Sequence, residues 1–124
     1  MTPLMLLEIV CVQEHNREKF DFLQRRAMGW GVKSLRFASN DALGLLYIRR
    51  FGPDQVIVLI GEFSFLSSLF GKRNDYVALV LASGVTHDQI ILLEGHETPE
   101  QIENLVRERL SKLLHDISAP TQTV

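Results

Sequence analysis

The stretch Lys33-Ser34-Leu35-Arg36-Phe37-Ala38-Ser39-Asn40-Asp41-Ala42-Leu43-Gly44-Leu45-Leu46-Tyr47-Ile48-Arg49-Arg50-Phe51 decides the fold, because it joins a helical pattern to the most strand-like run in the chain. Leu35 and Phe37 alternate, Ser39-Asn40-Asp41 supply turn chemistry, and Leu43 to Phe51 resumes as an apolar segment. Two apolar runs around a polar turn read as a hairpin.

Downstream, Gly52-Pro53-Asp54 makes the next turn, and Val56-Ile57-Val58-Leu59-Ile60, nearly all β-branched, reads as a central strand. Phe63 to Phe70 reads as a short helix or loop, with Gly71 to Asp75 as the return. Tyr76–Ala82 and Gln89–Glu94, flanking a turn at Ser83 to Asp88, read as a second hairpin. Thr98-Pro99-Glu100-Gln101 places a capping hydroxyl, a proline at the first helical position and a glutamine three residues after the cap. Ile102, Leu105, Val106, Leu110, Leu113, Leu114 and Ile117 then recur three and four apart, as on one face of a helix. Glu103 with Arg107 and Glu108 with Lys112 stand four apart, as ion pairs on the exposed side do.

Upstream, Glu14 to Met28 is an amphipathic helix with Phe20, Leu23 and Ala27 on its apolar face, closed by Gly29-Trp30-Gly31. Residues 4 to 12 form an apolar strand suited to burial on both faces. The expected order is β-α-β-β-β-(short α)-β-β-α: an α+β fold with a meandering, mostly antiparallel sheet of about six strands, two long helices and one short one. It fills a single domain over residues 1–117, with 118–124 as a flexible C-terminal tail.

The 124 residues, 46% hydrophobic and 23% charged, suffice for one core. A formal charge of −2 gives no sequence-wide attraction for phosphate, and the basic pairs Arg25-Arg26, Arg49-Arg50 and Lys72-Arg73 are isolated. A nucleic-acid module using these pairs with Trp30 and Phe37 is therefore disfavoured. The single cysteine, Cys11, cannot form an intrachain disulfide and sits in an apolar run, where a thiol packs rather than reacts. The apolar opening lacks the basic flank of a signal peptide, and charge interrupts each apolar stretch before a membrane span is reached. The expectation is a cytoplasmic protein with no membrane association.

No catalytic signature completes itself. Gly29-Trp30-Gly31 does not continue as a dinucleotide fingerprint, and Gly71-Lys72 lacks both the upstream glycine and the following hydroxyl of a phosphate loop. The four histidines show no metal-ligand spacing. A site assembled by folding from His87, Asp88, Glu94 and His96 would give a small metal-dependent or hydrolytic enzyme, which is the alternative reading. No cofactor is expected, and the balance is against an enzyme.

What the sequence offers instead is an apolar surplus. Phe63, Phe65, Leu66, Leu69 and Phe70 crowd beside Lys72 and Arg73, and Trp30 stands between two glycines. Aromatic side chains rimmed by charge are the composition of a protein-binding patch.

The element order from Glu14 to Ile117, above all Ser68-Leu69-Phe70 to Gly95 and the helix opening at Thr98-Pro99-Glu100, resembles that of class I chaperones of type III secretion. The likeness is one of element order, without a specific motif, and the additional N-terminal strand departs from it. It implies a non-enzymatic, homodimeric protein that binds a segment of another protein. The expectation is thus a protein-binding module, whether chaperone, adaptor or assembly subunit, acting as a homodimer or inside a larger assembly.

Overall fold

Asn40 overturns the hairpin. In the computed structural model, which describes residues 7–12, 17–61 and 71–118, its backbone is extended and its Oδ1 accepts the Leu43 amide at 2.8 Å. That bond satisfies one of the free amides that open a helix. The residues read as a return strand are therefore helix α2, Asp41–Phe51. Asp41 lies in its first turn and Arg49 and Arg50 in its last, as the helix dipole favours. Asp41, Gly44, Leu45 and Ile48 are its buried residues, a helical stripe and not an alternation.

The same substitution of helix for strand occurs after Gly71. Arg73–Ala82 is helix α3, opened by Asp75, whose Oδ2 accepts the Lys72 amide at 3.2 Å. Its buried residues, Tyr76 and Val80, are four apart. Tyr76-Val77-Ala78-Leu79-Val80-Leu81-Ala82 is apolar throughout, and such a run has no period by which helix and strand can be told apart.

Four strands remain: β1 Glu8–Val12, β2 Ser34–Ala38, β3 Val56–Ile60 and β4 Ile90–Leu92. They form one sheet in the order β2-β1-β3-β4, with every neighbouring pair parallel. The expected six-strand, mostly antiparallel meander is thus replaced by a doubly wound parallel sheet. The physical reason is the connections. Parallel neighbours cannot be joined by a tight turn and need a crossover segment, and α2 and α3 supply what the hairpins were expected to be. The expected short helix at residues 63–70 lies outside the described residues.

The first helix, α1 Arg17–Ala27, and the last, α4 Pro99–Ser118, are found where their periodicity places them. Thr98 and Gln101 cap each other reciprocally: Thr98 N donates to Gln101 Oε1 at 2.8 Å and Gln101 N to Thr98 Oγ1 at 3.1 Å. Phe20, Leu23 and Ala27 of α1 and Ile102, Val106 and Leu110 of α4 pack on the sheet face that carries Ile9, Cys11, Ile57, Leu59 and Ile91. Leu45 and Ile48 of α2 with Tyr76 and Val80 of α3 cover the opposite face, made by Val10, Val12, Val56, Val58 and Ile60. Both inner strands, β1 and β3, are buried at all five positions, so their side chains point alternately into two cores. Each such side chain contributes on the order of 1.5–3 kcal/mol by leaving water.

Gly44 sets how closely α2 lies on this sheet. A Cβ there would run into the Tyr76 hydroxyl oxygen and stand 2.7 Å from Val12 Cγ2, so the helix, β1 and α3 meet at a point that admits no side chain.

Candidate protein-binding surface

Of the residues singled out in the sequence, Phe63, Phe65, Leu66, Leu69 and Phe70 lie outside the described residues. Trp30 ends a short 3₁₀ turn, Met28–Trp30, that is closed by Gly31 in the left-handed conformation at φ 82°. Its ring is half-buried against the α1–α4 core, and its Nε1 donates to Glu103 Oε2 at 3.1 Å. Lys72 is exposed at the start of α3, while Arg73 turns back and donates from Nη1 to Leu93 O at 2.5 Å. The structure does not bring Trp30 and the Lys72-Arg73 pair into one contact set: Trp30 belongs to the α1–α4 face, and the pair opens a helix on the other.

Glu103, expected on the solvent side as a partner of Arg107, instead ties α4 to α1. Arg26 Nε reaches its Oε2 at 3.1 Å, and the Arg26 guanidinium lies 5.0 Å from the Phe22 ring centre. Burial opposes ionisation of this carboxyl, but hydrogen bonds from Trp30 and Arg26, with the charges of Arg26 and Arg107, outweigh it and hold its pKa below the usual range. A lowered carboxyl pKa stabilises the fold above the unfolded value near 4.3 and ceases to do so as pH falls through the folded one. Glu103→Gln should therefore cost about 1 kcal/mol at pH 7, Arg26 being half exposed. In urea melts across pH, the gap between variant and wild type should close as pH drops below about 4; a gap independent of pH would show that the charge is not what matters.

His87 and Asp88 are exposed in a 3₁₀ turn before β4, and Glu94 and His96 are exposed after it. A strand lies between the two pairs. At about 3.3 Å per residue, Asp88 and Glu94 are separated by on the order of 20 Å of chain. Asp88 pairs instead with Lys112 at 3.0 Å, and that hydrogen bond is the main reason its pKa is lowered. Among the described residues no group of three or more His, Cys, Asp or Glu side chains could hold a metal ion. Glu97, which is buried, is committed to its own loop, accepting from Glu94 N at 2.7 Å and Gly95 N at 3.0 Å. Cys11 is buried in β1, next to its last residue.

The surface feature missed by sequence reading lies on α2 and α3. Leu46 is 58% and Leu79 40% exposed, and Ala78 and Ala82 also face water. Beside them Tyr47 and Phe51, four apart on α2, stack at 5.7 Å with their rings almost parallel. No residue from Tyr76 to Ala82 carries a charge, so beyond its first turn the outward side of α3 is apolar, as is the side that faces the sheet. The signal was present in the sequence as an unbroken apolar run, but it acquires meaning only once the run is a helix with one face left over.

Among the described residues no helix is long and apolar enough to cross a membrane. Comparison of the chain with known protein families, curated proteins and solved structures gave no match, and its function is read from this geometry alone.

Proposed function

We propose that the chain is a non-enzymatic protein-binding module, an adaptor, chaperone or assembly subunit, whose docking face is the outer surface of α2 and α3. One observation carries this reading: from Tyr76 to Ala82 α3 is apolar on all sides, but among the described residues it is covered on only one. A helix that is apolar all round is ordinarily enclosed all round. Exposed Leu46 and Leu79, with the stacked Tyr47–Phe51 pair beside them, extend the apolar surface onto two helices on one side of the sheet. Arg49 and Arg50 at the end of α2 and Lys72 at the start of α3 supply a polar rim.

The double variant Leu46→Glu, Leu79→Glu tests it. Both side chains are exposed, so the substitutions should leave the melting transition within about 0.5 kcal/mol of wild type. The mass measured by light scattering, with chemical cross-linking in lysate of the native cell, should show wild type associated with itself or with a second protein and the variant monomeric. Identical behaviour of a folded variant and wild type would remove α2–α3 as the docking face.

A further inference from the structure

The two edges of the sheet are treated differently by the chain. At β4, only three residues long, Arg109 reaches over from α4 and donates through Nη1 to Ile90 O at 2.9 Å and to Asp88 O, just before the strand, at 2.8 Å. Charged side chains laid over strand carbonyls are a recognised way of closing an edge to further pairing.

At the other edge, β2 is five residues long and among the described residues no strand lies beyond it. A groove of about 340 Å³ runs beside it, with Gln24 and Met28 of the α1 side on one wall and Lys33, Ser34 and Arg36 on the other. Met28 is 88% exposed on its rim, an apolar side chain held in water. Gln24 alone reaches across, from Nε2 to Leu35 O at 3.5 Å, a long bond.

We propose that this edge is a strand-addition site that takes an extended segment of another protein carrying acidic side chains. Backbone pairing along the open part of the edge, Ser34–Phe37, supplies affinity, Ala38 at its end being fully buried, and charge supplies selection. Lys33 and Arg36 are exposed, two cations against the one carboxylate of the neighbouring strand, Glu8, which is buried and accepts from the Ser34 hydroxyl. Asp21, the nearest carboxylate along α1, lies one turn before Gln24 and four residues before Arg25, with which it can pair on the helix. A second copy of this chain is the wrong occupant. The antiparallel register that pairs all of β2 with its copy sets Arg36 directly against Arg36, and like charges directly opposed destabilise a sheet. The cationic residues therefore discourage self-pairing and favour an acidic strand.

The site is separate from the α2–α3 face, and the two readings can fail independently. The probes are two synthetic ten-residue peptides, one alternating valine with glutamate and one alternating valine with lysine, each titrated into the isotope-labelled full chain below the concentration at which the peptide associates. The glutamate peptide should shift the amide resonances of Ser34–Ala38 and bind at least tenfold more tightly than the lysine peptide. Arg36→Glu should reverse that order, whereas the Leu46→Glu, Leu79→Glu variant should bind as wild type does. Shifts absent from Ser34–Ala38 with both peptides, equal affinity for the two, or contacts between β2 strands of two copies in the free chain would each overturn the proposal.

Discussion

Alanine at position 44 should destabilise the chain by about 1–3 kcal/mol, the cost of forcing a methyl group into a filled space. The intrinsic preference runs the other way, since alanine is a better helix former than glycine by ~1 kcal/mol. Contact decides the sign. The new Cβ would run into the Tyr76 hydroxyl oxygen and stand 2.7 Å from Val12 Cγ2, closer than Cβ atoms come to non-bonded neighbours. Neither neighbour can step aside cheaply, because Val12 belongs to a strand buried on both faces and Tyr76 is itself fully buried. Urea denaturation should show a lower midpoint with an unchanged slope. Adding Tyr76→Phe removes the nearer of the two contacts and should recover part of the loss. A Gly44→Ala protein more stable than wild type would falsify the close approach of α2 to β1 and α3.

Stability should also fall steeply in alkali, by roughly 1.4 kcal/mol for each pH unit above about 10. The cause is Tyr76. Removal from water, and secondarily the negative charge of Asp41, push its phenol well above the ordinary value. In the unfolded chain the hydroxyl ionises near pH 10, while in the folded chain it stays protonated, so the contribution is complete below pH 10 and is lost as pH climbs toward the folded value. Domains of this size are held by only about 5–15 kcal/mol, so two pH units remove a large fraction of the total. Tyr76→Phe has no group to ionise at that position, and its stability curve between pH 10 and 12 should lack this slope. Parallel curves for variant and wild type would mean that Tyr76 is not the buried phenol responsible.

Both effects arise at the junction of α2, α3 and β1, the region the sequence represents least faithfully. Tyr76 to Ala82 is apolar at every position and Leu43 to Phe51 at most of them, so neither a period of two nor one of 3.6 stands out. What separates helix from strand there is the end of each segment: the carboxamide of Asn40 on the Leu43 amide, and the carboxylate of Asp75 on the Lys72 amide. Asn40 and Asp75 are also turn formers, and with the capping role unrecognised, two crossover helices become two hairpin strands. From that single confusion the strand count and the sheet direction both follow incorrectly.

The candidate site was legible in kind and not in place. An apolar surplus is visible in the composition, but which apolar side chains face outward depends on which face of a helix the sheet occupies. Trp30, a candidate anchor in the sequence, is turned by Glu103 into a link between α1 and α4. His87 and His96, nine residues apart, are kept apart by β4 lying between them.

The amino-acid sequence by itself determined the elements whose signals are local: α1 by its period and closing glycine, α4 by its reciprocal cap, β1 and β3 by continuous apolar runs too short for helices. These depend on hydrogen bonds and periodicity within a few residues of one another. Tertiary structure alone decided that the strands run parallel, that α2 and α3 enclose one face of the sheet, and that Gly44, Tyr76 and Val12 share one point in space. The meeting of Gly44, Tyr76 and Val12 joins residues more than thirty positions apart, and its free energy comes from close packing between elements, which no window of the sequence contains.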